Sequence, residues 1–109
     1  MEHVKVGQTT DIPENTMTMV HVGDKEVLLA NVEGTYYAIS NMCKHLGGPL
    51  AQGKLEGGIV TCPRHGARYD VRTGEAVGEA KLGFLKMKVK DEPSYSVKVE
   101  GGDILVGII

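Results

Sequence analysis

The chain has 109 residues, of which 41% are hydrophobic and 24% are charged, and its formal net charge is −2 at pH 7. This length suits one domain with a modest core, and the apolar fraction excludes an intrinsically disordered chain. The slightly negative net charge argues against a protein whose general function is to bind nucleic acid. No run approaches the roughly 20 apolar residues of a membrane helix, and no basic segment followed by an apolar stretch opens the chain. We therefore expect a cytoplasmic protein without a nucleic-acid or membrane partner.

Alternating apolar and polar residues predict a three-stranded meander in the first 40 residues. The strands are predicted over 17–22, 27–32 and 36–39, and the turn signals Gly23-Asp24 and Glu33-Gly34 separate them. No stretch shows a convincing apolar stripe at helical spacing.

The remaining predicted strands are short and are bounded by glycine-rich turns. About nine short strands of this kind indicate an all-β fold, an antiparallel sandwich or barrel. Residues 41–83 are less regular, which is typical of a binding site built from loops on a strand scaffold. The predicted strands that follow the meander cover 59–62, 68–71, 86–90, 96–100 and 103–106, and the Gly101-Gly102 turn joins the last two in a predicted terminal hairpin.

Each of the two cysteines lies in a short motif that also contains a histidine. The motifs are Cys43-Lys44-His45 and Cys62-Pro63-Arg64-His65. Structural zinc sites usually pair cysteine with cysteine and histidine with histidine, whereas each motif here mixes the two. The mixture suits a two-iron cluster in which one iron takes both thiolates and the other takes both imidazoles. A zinc site, or two core cysteines with two surface histidines, remains an alternative.

The two motifs and the residues that follow them resemble the Rieske family. The family signature is C-x-H with a Gly-Pro-Leu-like continuation, then C-P-x-H-G, an aromatic residue and a Thr-Gly turn; 43–50 and 62–74 match it. The resemblance extends weakly over the whole chain. It implies a single Rieske domain over 1–109, with a loop-built cluster-binding subdomain inserted at about 41–83.

The resemblance also implies a role for each residue that matches the motif. One 2Fe–2S cluster would be held by two cysteines on the inner iron and two histidines on the outer iron. Glycines after the ligands would let backbone N–H groups approach the sulfides and so tune the reduction potential. The implied ligands are Cys43, His45, Cys62 and His65, and the implied glycines are Gly47, Gly48 and Gly66.

Two further positions bear on the reduction potential. Quinol-oxidising relatives carry a disulfide between the two loops and a serine at the position of Ala67, and both are absent from this chain. Tyr69 matches the tyrosine whose hydroxyl donates to a ligand thiolate in those relatives. Because donors to sulfur stabilise the reduced cluster, we expect a potential in the low part of the roughly −150 to +300 mV Rieske range.

Low-potential relatives imply a soluble one-electron carrier between a flavin-dependent reductase and an oxygenase, and not an enzyme. Residues 43–72 contain five basic and two acidic side chains, a net charge of +3. Within them, Lys44, Arg64 and Arg68 are possible docking groups for acidic partners, although ordinary solvated charges would look the same. Two other functions remain open: the small Rieske subunit of a larger redox enzyme such as a nitrite reductase, and a zinc-stabilised interaction module.

Overall fold

The computed structural model describes residues 2–41, 49–63, 66–77, 80–82, 85–87 and 93–108. Over these residues the chain forms twelve β-strands and two 3₁₀ turns, and every strand pair is antiparallel. No helix in this part of the chain is long and apolar enough to cross a membrane. The all-β antiparallel fold predicted from the sequence is confirmed.

The strands form four sheets of two to four strands each. Their orders are β10-β4-β3-β2, β1-β12-β11, β5-β6-β7 and β8-β9. The strands are β1 (Glu2–Gln8), β2 (Thr16–Val22), β3 (Lys25–Val32), β4 (Thr35–Ser40), β5 (Lys54–Glu56), β6 (Ile59–Thr61), β7 (Arg68–Asp70), β8 (Ala80–Leu82), β9 (Leu85–Met87), β10 (Ser94–Tyr95), β11 (Val97–Glu100) and β12 (Asp103–Ile108). The 3₁₀ turns are Thr9–Asp11 and Leu50–Gln52.

The predicted meander and the predicted terminal hairpin are both present. The meander is β2-β3-β4, and β11 pairs with β12 across Gly101-Gly102. The sequence did not predict β1, which pairs with β12 at the other end of the chain. The register of this pair shifts between Lys5 and Gly7, and such an irregularity interrupts the alternation on which sequence prediction relies.

Strand β3 lies between two separate hydrophobic clusters. Successive side chains of a strand point to opposite faces, and residues 27–32 of β3 are all buried. Leu28 and Ala30 belong to one cluster, whereas Val27 and Leu29 belong to the other. We call the first cluster the loop core; its buried members are Leu28, Ala30, Val32, Ile39, Leu50, Val60, Cys62, Ala67, Tyr69 and Val71. We call the second the scaffold core; its buried members are Ile12, Val22, Val27, Leu29, Ala38, Ile104 and Val106.

Candidate metal centre

Cys62 lies immediately after β6, where the chain turns toward β7. Its backbone N–H donates to the carbonyl of Ala67 at 2.7 Å, and its own carbonyl accepts from the N–H of Gly66 at 3.3 Å. Gly66 has a φ of +74°, a conformation that glycine adopts without steric cost. These bonds close a tight turn with Cys62 at its base, and the cysteine is only 2% exposed. The expected contact between the Gly66 N–H and a sulfide stays a prediction.

Asn41 joins the two sides of the first predicted ligand segment, residues 42–49, by hydrogen bonds to the residues that follow it. The carbonyl of Asn41 accepts from the N–H of Leu50 at 2.7 Å, and its side-chain Oδ1 accepts from the N–H of Ala51 at 2.8 Å. Asn41 itself is 2% exposed. Sequence reasoning missed this residue, although an asparagine that directly follows a strand is a common side-chain-to-backbone hydrogen-bonding position.

Residues that flank the two predicted ligand motifs lie together in the loop core. Leu50, where the first segment returns, is fully buried in that cluster together with Cys62 and Ala67. The two segments are far apart in sequence, and their ends are brought together by burial of apolar surface. The predicted site residues Cys43, Lys44, His45, Gly47, Gly48, Arg64 and His65 lie outside the described part of the chain.

Tyr69 occupies the centre of β7 and is fully buried. It pairs with Val60 on β6 and forms an isolated bridge with Ala76 on its other side. Ala67 is fully buried as well, so Ala67 and Tyr69, two of the residues predicted to tune the potential, share the loop core with Cys62. Because Tyr69 is 0% exposed, its hydroxyl does not reach bulk solvent.

A cleft of about 390 Å³ runs beside Cys62 between the 3₁₀ turn and β6. Gly53 lines it, and a Cβ atom at this position would overlap the carbonyl oxygen of Thr61. Only a residue without a side chain therefore allows this close approach. The described residues that line the cleft are Gln52, Gly53, Lys54, Thr61, Cys62 and Pro63.

Arg68 is the one predicted docking residue that the described ranges contain. It begins β7 and is exposed, and its backbone carbonyl accepts from the N–H of Val77 at 2.9 Å. Val77 is one of the exposed large hydrophobic side chains of the chain, at 43%. A positive charge and an apolar side chain thus lie on neighbouring segments close to the turn that contains Cys62.

Comparisons with known proteins agree with the fold and with the family resemblance. The family model for the Rieske [2Fe-2S] domain matches residues 2–89. The ferredoxin component of the naphthalene 1,2-dioxygenase/salicylate 5-hydroxylase systems of Ralstonia sp is 38% identical over 96 residues, which cover 88% of this chain and 86% of that protein.

Two solved structures have the same fold over nearly the whole chain. The ferredoxin of carbazole 1,9a-dioxygenase from Nocardioides aromaticivorans IC177 has a TM-score of 0.84 at 31% identity and covers 97% of each chain. A chain from a complex of reduced oxygenase and oxidized ferredoxin in carbazole 1,9a-dioxygenase has a TM-score of 0.79 at 26% identity, covering 95% of this chain and 91% of that one.

These matches confirm the predicted ferredoxin class, in which the protein carries electrons and is not itself a catalytic component, and the predicted 2Fe–2S cofactor. Because the family model spans most of the chain and the Ralstonia relative is similar over nearly its full length, the chain belongs to the Rieske 2Fe–2S family.

Proposed function

We propose that this chain carries one electron at a time on a Rieske cluster bound at the tip of the loop core. The inner iron would take the thiolates of the two cysteines, and the outer iron would take the imidazoles of two histidines. The proposed ligands are Cys43, His45, Cys62 and His65. When bound, the cluster supplies a one-electron redox centre, and the protein supplies ligands, shielding and a contact surface.

The convergence of Leu50 and Cys62 in one buried cluster is the observation that carries the proposal. Leu50 ends the segment that contains the first Cys-x-His motif, and Cys62 begins the second motif. A cluster shared by two loops requires that the loops leave the scaffold side by side. The hydrogen bonds of Cys62 with Ala67 and Gly66 hold one loop at its base, and the hydrogen bond between Asn41 and Leu50 holds the other. Both observations support this requirement.

The donor set and its surroundings fit a two-iron cluster. Two soft thiolates and two imidazoles match the mixed ligand set of a Rieske centre. Cys62 is almost completely shielded from water, and apolar surroundings limit the access of solvent to the metal. Ala67 has no hydroxyl that could donate a hydrogen bond to the sulfides, whereas the hydroxyl of buried Tyr69 can donate to a ligand thiolate. We therefore place the reduction potential low in the Rieske range but above its lower limit.

The proposed acceptor of the electron is an oxygenase, and the proposed donor is a flavin-dependent reductase. The Ralstonia relative is a ferredoxin component of a dioxygenase and hydroxylase system, and a structural neighbour comes from a complex of oxygenase and ferredoxin. Exposed Arg68, with Lys44 and Arg64, would offer positive charge to an acidic docking patch. We place the carrier in the cytoplasm, where thiolate ligands stay reduced.

We further propose that the whole chain is a single domain with the cluster-binding subdomain inserted at about 41–83. The three-stranded sheet β5-β6-β7 falls inside this range. It shares the loop core with β3 and β4, since Val60 and Tyr69 pack in one cluster with Leu28 and Ile39. A continuous core of this kind supports one folding unit.

Metal analysis of the purified protein tests the proposal. We expect about two irons and about two acid-labile sulfides per chain, a coloured oxidised form, and an electron paramagnetic resonance signal that appears on one-electron reduction. One zinc per chain in a colourless protein would refute the proposed cluster and support the interaction module. Stable co-purification with a large redox enzyme would support the small-subunit function in place of a free carrier.

The four histidines of the chain provide a matched set of variants. His45→Ala and His65→Ala should abolish the native spectrum, because each removes one ligand of the outer iron. His3→Ala and His21→Ala should leave it unchanged. The side chain of His3 contacts the hydroxyl of Ser96 at 3.0 Å, and His21 is exposed on β2. A native spectrum in either of the first two variants would refute the ligand assignment.

A further inference from the structure

We infer that Asn41 is a positioning residue that holds the first ligand segment, residues 42–49, in the geometry that retains the cluster. The inference rests on the proposed function, because it takes Cys43 and His45 as ligands. Asn41 lies outside the Cys-x-His motif and is not itself a ligand in the proposal. Its role would be to fix the two ends of the segment that contains the ligands.

Two hydrogen bonds join Asn41 to the far end of the segment, and we call them the clasp. The Asn41 carbonyl accepts from the Leu50 N–H at 2.7 Å, and Asn41 Oδ1 accepts from the Ala51 N–H at 2.8 Å. One bond uses the backbone and would form with any residue at position 41. The other uses the amide side chain, so it depends on the identity of the residue.

Asn41 is also held on its other side, by longer hydrogen bonds to strand β3. Its backbone N–H donates to the carbonyl of Glu26 at 3.1 Å, and its Nδ2 donates to the carboxylate Oε1 of Glu26 at 3.4 Å. The preceding residue, Ser40, donates its N–H to the carbonyl of Pro93 at 3.0 Å. The clasp is therefore anchored to the four-stranded sheet and does not depend on the segment it closes.

The burial of Asn41 makes the clasp energetically significant. The Asn41 side chain, in a residue that is 2% exposed, has lost its hydrogen bonds to water, and hydrogen bonds to protein groups must replace them. If the side chain is removed, the N–H of Ala51 loses its acceptor in a partly buried place. The segment can then open locally while the rest of the fold stays intact.

Asn31 provides a matched control, because it is a second buried asparagine, 3% exposed, with its own loop contacts. Its Nδ2 donates to the carbonyl of Ile12 at 2.8 Å, and its Oδ1 accepts from the N–H of Gly34 at 2.8 Å. Nδ2 also donates to the Tyr36 hydroxyl at 3.3 Å, and all three partners lie outside residues 41–83. Loss of the Asn31 amide should weaken the fold without loosening the segment that contains the proposed ligands.

The test is the rate at which a chelator removes iron from the intact holoprotein, measured against urea concentration. Release through local opening is nearly independent of denaturant, whereas release through global unfolding rises steeply with it. We expect Asn41→Ala to raise the denaturant-independent rate about tenfold, the factor that corresponds to about 1.4 kcal/mol. Asn31→Ala should raise only the denaturant-dependent rate. Equal behaviour of the two variants would overturn the inference.

A second pair of variants covers the case in which Asn41→Ala does not fold. Asn41→Asp keeps an acceptor for the Ala51 N–H but places a carboxylate against that of Glu26, and like charges at this distance repel. The double variant Asn41→Asp/Glu26→Gln exchanges donor and acceptor and restores the pair. We expect fast release in the single variant and recovery to within about twofold of the wild-type rate in the double variant. Fast release in both would overturn the inference.

Failure of the inference can be told apart from failure of the proposed function. A wild-type protein without iron and sulfide refutes the function before any variant is compared. A wild-type protein with a cluster, and unchanged denaturant-independent release in Asn41→Ala, refutes only the role of Asn41. The electron paramagnetic resonance spectrum of the reduced protein adds a direct readout. A displaced ligand segment should shift this spectrum in Asn41→Ala and not in Asn31→Ala.

Discussion

Gly53 approaches the carbonyl oxygen of Thr61 so closely that a Cβ atom at position 53 would overlap it. The contact joins the end of the 3₁₀ turn Leu50–Gln52 to the last residue of β6. Thr61 is followed directly by Cys62. The distance between the 3₁₀ turn, which follows the first predicted ligand segment, and Cys62, which begins the second, therefore depends on the missing side chain of Gly53.

Gly53→Ala should destabilise the protein and weaken cluster binding together. The new methyl group meets a backbone atom that cannot rotate away, so either the 3₁₀ turn or β6 must shift. Overpacking of this kind costs about 3 kcal/mol when backbone has to move. The free energy of unfolding from denaturant titration, and the iron content after purification, measure the two effects.

Gly7→Ala is the control for this substitution. Gly7 does not have a positive φ, and a Cβ there would meet only the Asp11 carboxylate at 3.7 Å, an ordinary contact. We expect a change of less than about 1 kcal/mol and a normal iron content. If Gly53→Ala is as mild as Gly7→Ala, the close approach does not constrain the site.

Tyr69→Phe should lower the reduction potential. A hydroxyl that donates to a ligand thiolate stabilises the more negative, reduced cluster, and its removal favours the oxidised form. If the bond is worth about 1.4 kcal/mol more in the reduced state, the potential falls by about 60 mV for a one-electron couple. A redox titration followed by visible absorption measures the shift.

Tyr36→Phe separates this effect from a general loss of stability. The Tyr36 hydroxyl donates to the carbonyl of Thr9 at 3.0 Å, and its ring packs against the scaffold core and not against the loop core. We expect a lower unfolding midpoint with the potential unchanged. An unchanged potential in Tyr69→Phe as well would show that Tyr69 serves only packing.

Ala67→Ser should raise the potential by a similar amount, several tens of millivolts. Ala67 is fully buried in one cluster with Cys62. If the cluster binds as proposed, a hydroxyl added at this position would donate a hydrogen bond to one of its sulfides and stabilise the reduced state. Ala30→Ser is the matched control, since Ala30 is equally buried in the loop core but belongs to β3. That variant should lose about 1–3 kcal/mol of stability with no rise in potential. A fall in potential for Ala67→Ser would contradict the assignment.

Arg68→Glu should slow electron transfer to an oxygenase component at low ionic strength. An exposed charge at the rim of a docking surface changes mainly the association rate, and we expect a decrease of about tenfold that shrinks as salt screens the interaction. Lys98→Glu changes the net charge equally on β11, where Lys98 is exposed beside Glu100. Stopped-flow mixing of the reduced variants measures both rates. Equal slowing would indicate an effect of net charge and not of docking.

Elements with local signals were predictable from the sequence. The mostly alternating apolar and polar residues from Met17 to Val22, together with the Gly23-Asp24 turn, predicted a strand and turn that the fold contains as β2 and its hairpin to β3. The Gly101-Gly102 turn predicted the hairpin of β11 and β12 in the same way. Both hairpins close over a few residues, so the information that specifies them is contiguous.

Elements that depend on distant partners were not predictable from the same patterns. Strand β1 exists because Glu2 to Gln8 pair with β12, and its bulge near Gly7 hides the alternation. Strand β5 was missed for a different reason: its partner β6 follows directly, but β5 is only three residues long, too short to show an alternating pattern. The full burial of Tyr69 was left open by the sequence, because β7 alone does not show which face meets the core.

By itself, the sequence determined the family and predicted the ligands of the cluster, because cysteines and histidines at Cys-x-His and Cys-Pro-x-His spacing are local properties of the chain. Tertiary structure alone decided that Leu50, Cys62 and Tyr69 share one core, and that Asn41 and Gly53 set the geometry around it. These contacts join residues that local patterns cannot connect, since burial and register arise only when the sheets pack together.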